Sequence, residues 1–216
     1  MFVGHLGLAL AAKRAAPRAS LGTLVAASSL VDLLWPLLLL AGVERVRIEP
    51  GPNPFLVLDF ESYPVSHGAA LVLLWAAAFG AAVLWRSGDR RAAAVAAALV
   101  ASHWVLDAIS HRPDLPLWPG GPRVGLGLWR SVPAAVAVEL ALFLGGLAVY
   151  AASTRARDAI GRLGLAGWAG LLLVVYAGSV LGPPPPAVNA IVAANLLGAA
   201  LTVAWAAWLD RHRAPR

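Results

Sequence analysis

The chain of 216 residues is 60% apolar and only 13% charged, with a mean hydropathy of +0.74, a balance that excludes an ordinary soluble domain and predicts a membrane-embedded protein. The net charge of +6 and the pI near 11 arise from basic clusters between apolar runs, so they point to membrane topology and away from nucleic-acid binding. Cysteine is absent, which excludes disulfides and thiolate metal ligands.

In chain order, Phe2 to Ala12 predicts a short apolar helix, too short to cross a bilayer upright and therefore tilted or partly inserted. Its basic residues Lys13, Arg14 and Arg18 follow the apolar part, the reverse of a cleavable signal peptide. Six apolar runs come next, Leu21 to Val43, Val65 to Trp85, Ala92 to Ile109, Val132 to Ala152, Leu163 to Leu181 and Ala187 to Leu209, each near the ~20 residues that span a bilayer. In the first run, Pro36 cannot donate a helical hydrogen bond to the carbonyl of Asp32, which predicts a kink there. Two long loops, Glu44 to Pro64 and His111 to Ser131, carry Pro50-Gly51-Pro52-Asn53-Pro54 and Pro119-Gly120-Gly121-Pro122, turn sequences expected to form a lid. The last two runs, joined by Pro183 to Pro186, have no ionisable side chain before Asp210. Residues 153–216 therefore read as a scaffold or homo-oligomer contact beside a site-bearing bundle of residues 1–152. Gly161, Gly164, Gly167 and Gly170 suggest close helix contact in this part. The expected fold is all-α, a polytopic transmembrane bundle of six spans plus a short N-terminal helix.

Alternating the segments across a bilayer puts Lys13, Arg14, Arg18, Arg86, Arg90, Arg91, Arg155, Arg157, Arg162, Arg211, Arg213 and Arg216 on one side. Arg45, Arg47, Arg112, Arg123 and Arg130 fall on the other. The positive-inside rule makes the richer side, with the C-terminus, cytoplasmic and places the two long loops outside.

Against this apolar background a few ionisable residues stand out. His103 and Asp107 lie four apart, with His111 four further on, so a helix presents imidazole, carboxylate and imidazole on one face. Such residues inside spans are costly and mark a pathway or a reactive centre. Counting ~1.5 Å of rise per residue from the cytoplasmic basic residues, His103, Asp32, Asp107, Glu139, His67 and His111 fall roughly 18–30 Å up, in the outer half of the bilayer or at its edge. His5 comes out lower. His and Asp from different helices in one layer form the donor set that zinc favours. The bland readings are an intrahelical His103–Asp107 hydrogen bond, an interfacial His67, a His111 that bonds the last carbonyls of its helix, and a Glu139 paired with Arg130 or Arg123. His212, between Arg211 and Arg213, reads as solvated.

The segments Met1 to His5, Leu30 to Pro36, Tyr63-Pro64-Val65-Ser66-His67 and, above all, Ser102-His103-Trp104-Val105-Leu106-Asp107 through His111-Arg112-Pro113-Asp114 resemble uncharacterised bacterial membrane proteins. These are related to the membrane-bound metal-dependent hydrolases, also described as LexA-binding inner-membrane-associated hydrolases. The resemblance covers roughly residues 1 to 150. The order of acidic and histidine residues is similar to that of zinc-dependent phospholipase C. It implies a helical enzyme of the bacterial inner membrane holding one or two Zn²⁺ through His5, Asp32, His67, His103, Asp107 and His111, with Glu139 and Asp107 as catalytic carboxylates. Two positions depart from the pattern. Ala135 stands where the phospholipases have a His, which removes a ligand of a third metal. Gly68 stands where the hydrolases carry a Ser after the third ligand, which removes a hydroxyl that could support it.

The enzyme reading is a hydrolase at the outer leaflet acting on a lipid-linked phosphoester, partnered by the bilayer itself. The competing readings are a metal or proton transport or sensing site, and a metal-stabilised structural bundle. The near-absence of ionisable residues in the cytoplasmic half of the spans argues against a through-path.

Overall fold

The computed structural model describes residues 1–49 and 51–216; Pro50, part of the first proline-rich turn, lies outside the described residues. The helices are α1 (Val3–Ala15), α2 (Leu21–Ser28), α3 (Leu30–Leu40), the short turn α4 (Pro64–His67), α5 (Ala69–Ser87), α6 (Arg90–Ser110), α7 (Val132–Ser153), α8 (Ala159–Leu181) and α9 (Val188–Arg211). Five of them, α5 to α9, are long and apolar enough to cross a membrane, and α2 with α3 makes a sixth span if that pair, bent by 54°, is counted as one.

Three small antiparallel ribbons qualify the all-α expectation. Strands β1 (Arg45–Ile48) and β2 (Leu58–Ser62) pair within the first long loop, and β3 (Leu115–Pro116) pairs with β4 (Arg123–Val124) in the second. At the opposite end, β5 (Thr154–Ala156) pairs with β6 (Arg213–Pro215). The two loop ribbons sit over a small apolar cluster of Trp35, Val46, Tyr63 and Leu115.

Helix boundaries follow local chemistry. Ser20 caps α2 by accepting from Thr23 N, Asp89 caps α6 through Arg91 N and Ala92 N, and Asp158 caps α8 through Gly161 N. Gly88, at φ +66°, ends α5 in the left-handed conformation that a Cβ disfavours.

Helix α1 is no peripheral segment. Val3, Leu6, Ala9 and Leu10 are buried, and the helix lies flush against α7, where a Cβ on Gly146 would land on the Gly7 carbonyl oxygen. A Cβ on Gly22 of α2 would likewise collide with Ala207 of α9. Of the Gly161 to Gly170 series, Gly161 is also tightly placed, its Cβ position falling on the His212 carbonyl oxygen, and Gly164 lies close to Leu209, whereas Gly167 makes only ordinary side-chain contacts and Gly170 faces open space.

The expected kink at Pro36 is displaced. Pro36 lies inside a continuous α3, and the chain breaks instead at Ser28 and Ser29. There the Ser28 hydroxyl donates to Val25 O at 3.0 Å, and the Ser28 carbonyl, which a straight helix would commit to the Asp32 amide, accepts from His103 at 2.8 Å. Val65 to Trp85 is likewise divided, with Gly68 separating α4 from α5.

Where the basic residues gather, Lys13 Nζ donates to Asp210 Oδ2 at 2.8 Å and to Ala19 O at 2.7 Å. His212 is tied to Asp158 at 2.7 Å, so it is a paired residue and not the freely solvated one expected from its neighbours.

Candidate metal centre

The break between α2 and α3, the end of α4 and the middle of α6 bring four side chains to one point. His103 Nε2 lies 3.1 Å from Asp107 Oδ2 and 3.6 Å from Asp32 Oδ1. His67 Nε2 lies 3.7 Å from Asp32 Oδ1 and 3.9 Å from Asp107 Oδ2. Tetrahedral zinc with bonds of about 2.0–2.2 Å sets its donor atoms about 3.3–3.6 Å apart; these four separations bracket that value, and Asp32, His67 and His103 make up one three-atom set that could hold a metal, with Asp107 beside it. His67, His103 and Asp107 are buried; Asp32, with 37% of its side chain exposed, forms the open side.

Hydrogen bonding fixes which nitrogen of each imidazole faces this point. His103 Nδ1 meets a carbonyl, Ser28 O, so it carries a proton, and in the neutral ring the Nε2 lone pair is then directed inward. His67 Nδ1 lies 2.7 Å from Ser66 Oγ, whose single proton goes to Glu44 Oε2 at 2.6 Å. The hydroxyl therefore accepts from Nδ1, and in the neutral ring His67 Nε2 also presents a lone pair. Two inward-facing imidazole nitrogens and two carboxylates thus converge on this point. His103 Nε2 is buried and makes no hydrogen bond, although Asp107 is within reach. The donor set around that atom is one that could hold a divalent cation such as zinc.

His5, the lowest residue in the sequence-based depth order, joins the cluster. Its ring stacks on His103 with centroids 3.7 Å apart, and its Nε2 lies 3.2 Å from Asp107 Oδ1. The Met1 amino group lies 2.7 Å from the same oxygen. Asp107 thus faces two ways, Oδ2 toward the four-atom cage and Oδ1 toward α1. His5, His103 and Asp107 form a second three-atom set that shares His103 with Asp32 and His67.

Two expected site residues stand apart. Glu139 is buried against the start of α1, where Oε2 accepts from Phe2 N at 2.7 Å and Gly4 N at 3.2 Å; neither Arg130 nor Arg123 is its partner. It caps the helix that carries His5. His111 caps the end of α6 outside both three-atom sets, with Nδ1 3.0 Å from Asp114 Oδ1 and its ring against Trp129. Burial pushes the His111 pKa down against the opposing pull of Asp114. Burial raises the Asp114 carboxyl, but its bonds to His111 and Arg112 outweigh this and hold it below the usual carboxylate range.

Sequence reasoning missed Glu44 and Ser66. Glu44 Oε1 accepts from Val65 N and Ser66 N at 2.8 Å each, pinning α4, while Oε2 takes the Ser66 proton. The supporting hydroxyl that Gly68 seemed to remove is supplied from the other side of His67. The available signal was the Ser-His pair itself, together with an acidic residue just after an apolar run.

Beside Asp32 and His5 opens a cavity of about 620 Å³ whose far walls are α8 and α9. No family model, no curated protein and no solved structure matches the chain.

Proposed function

We propose that this protein is a metal-dependent hydrolase of the bacterial inner membrane that holds one zinc ion between Asp32, His67, His103 and Asp107. It acts at the outer leaflet on a lipid-linked phosphoester. The observation that carries the reading is the convergence of the buried His103 Nε2 with two carboxylates and a second imidazole nitrogen. Zinc there supplies a Lewis acid that activates water and polarises a phosphoryl oxygen.

The chain's own residues then have separate tasks. Ser28 O and the Ser66–Glu44 pair hold the two imidazoles in one tautomer and orientation. Asp32, on the exposed side, is where substrate and water reach the cage. Asp107 links the cage to His5, and Glu139, which stands apart from the cage, positions α1. Its bonds to Phe2 N and Gly4 N involve one oxygen as acceptor, a role a glutamine carbonyl can keep. Glu139→Gln should therefore preserve the packing and the bound metal, and a fall in phosphoester-lipid turnover of ~10²–10⁴-fold in that variant would add proton acceptance to its positioning role.

A transport role is less favoured. Leu10, Leu24, Ala96 and Val100, all fully buried, lie between the cage and the Lys13–Asp210 end, leaving an apolar plug where an ion path would run. The deciding experiment compares hydrolysis of phosphoester lipids with metal flux into proteoliposomes. Hydrolysis that is lost together with the bound metal in His103→Ala supports the proposal. Flux without hydrolysis transfers it to a transporter, and neither activity in metal-loaded protein leaves a metal-stabilised bundle.

A further inference from the structure

The cavity beside the cage has an uneven lining. One end is polar, where Asp32, His5 and Ser29 face it, and Ser29 makes no helix-capping bond. The remainder is apolar apart from Asn195, Thr202 and Ser179, and the Asn195 side chain makes no hydrogen bond to a described residue although it sits inside a spanning helix. Helices α8 and α9 touch at Gly164 and Gly167 and through Trp168 Nε1, which donates to Thr202 O at 3.3 Å. Beyond that crossing Leu171, Val175 and Leu201 line the cavity and are also exposed, 40%, 49% and 55% respectively, so the cleft opens sideways through the apolar belt of the two spans. An opening at that level is bathed by hydrocarbon chains, not water. At about 620 Å³ the space falls within the ~300–1,000 Å³ of ligand sites.

We propose that the cleft between α8 and α9 is a lateral entry and binding site for a lipid's hydrocarbon chain, which presents the lipid's oxyanion head to the Asp32 side of the cage, with Asn195 donating to the head-group linkage. The proposal names the apolar half of the substrate and rests on the hydrolase reading only for what happens to the head. It assigns α8 and α9, which carry no candidate ligand, the task of selecting the substrate. The same chemistry, an anionic phosphate on a long chain, comes from a phospholipid or from an isoprenoid phosphate.

The test uses a long-chain phosphatidate analogue with a diazirine midway along its chain, photolysed with the full-length protein in detergent and mapped by mass spectrometry. Labelling should be saturable at Leu172 and Ile191, which line the cavity, and non-saturable at the exposed Leu73 and Leu74 of α5. Gly198 lines the cavity and a Cβ there meets no atom within 4 Å, so Gly198→Phe starts a bulky side chain from unobstructed backbone at the cavity wall. It should lower the saturable labelling by about tenfold or more, the equivalent of losing roughly two buried methylenes. Gly170→Phe, equally unobstructed but outside the cavity, should leave it unchanged. Displacement by unlabelled phosphatidate identifies a phospholipid, and displacement by an isoprenoid phosphate identifies that class; displacement by neither overturns the proposal. Uniform labelling of all exposed leucines also overturns it, as do cross-links between two copies through α8 and α9 in place of lipid adducts. Because the readout needs neither metal nor turnover, labelling that survives in an inactive, metal-free His103→Ala protein separates this proposal from failure of the hydrolase reading.

Discussion

Each imidazole of the cage is oriented by a group outside it. His103 is held by a carbonyl freed at a helix break, and His67 by a hydroxyl that an acidic side chain has already committed as a donor. Removing His103 or Asp107 should therefore abolish tight binding of a divalent ion, which metal analysis of the purified His103→Ala and Asp107→Ala proteins will read. If both retain full metal, the His103–Asp107 row is only a buried polar pair. Ser66→Ala is the sharper test, because it leaves every proposed ligand in place. Loss of a group that orients a ligand typically weakens metal affinity ~10–100-fold, so chelator competition should show a drop of that order with the helical content unchanged. The candidate ligands His67, His103, Asp32 and Asp107 were legible in the sequence because ionisable groups inside apolar runs announce themselves. Ser66 and Glu44 were not, since a Ser-His pair and an acid at a loop start are common, and only the return of the first long loop onto α4 gives them a partner.

At the scale of elements, the short N-terminal helix matters more than its length suggested. Glycines at positions 7 and 146 let α1 and α7 meet backbone to backbone, and that contact sets the height of His5. A side chain at Gly7 would strike the Leu142 carbonyl, whereas one at Gly145 meets nothing within 4 Å. Gly7→Leu should cost about 1–3 kcal/mol in stability, the usual penalty for forced overpacking, and Gly145→Leu should be near neutral in thermal unfolding followed by circular dichroism. Equal melting of the two variants would sink this account of α1. The displaced kink shows why element boundaries were harder to read than element existence. Pro36 is the evident breaker in the sequence, yet α3 runs through it. The break occurs where a serine hydroxyl and a distant histidine both take up local backbone carbonyls, a competition visible only once α6 lies alongside. The apolar runs themselves, and their number if α2 and α3 count as one span, needed no tertiary information because hydrocarbon permits few alternatives to a helix.

For the whole molecule, the site, the lid ribbons and the open side of the cage lie toward one end, and the Lys13–Asp210 pair with the β5–β6 ribbon toward the other. The distribution of arginines predicts that the second end is cytoplasmic. Single cysteines answer this cleanly in a chain that has none: one at Ser87 should resist a membrane-impermeant thiol reagent in intact cells, and one at Asn53 should react. The reverse pattern would place the site on the cytoplasmic face. Helices α8 and α9, read in the sequence as scaffold for want of ionisable residues, line the cavity that reaches Asp32, a role that apolar side chains give no local hint of. The central claim is that a cation, not a proton, joins the four converging atoms. Anomalous diffraction at the zinc edge from crystals of the purified protein tests it most directly. The account predicts one strong peak about 2.0–2.2 Å from His67 Nε2, His103 Nε2, Asp32 Oδ1 and Asp107 Oδ2. A map without that peak in zinc-supplemented crystals, with His103 Nε2 hydrogen-bonded directly to Asp107, would contradict it.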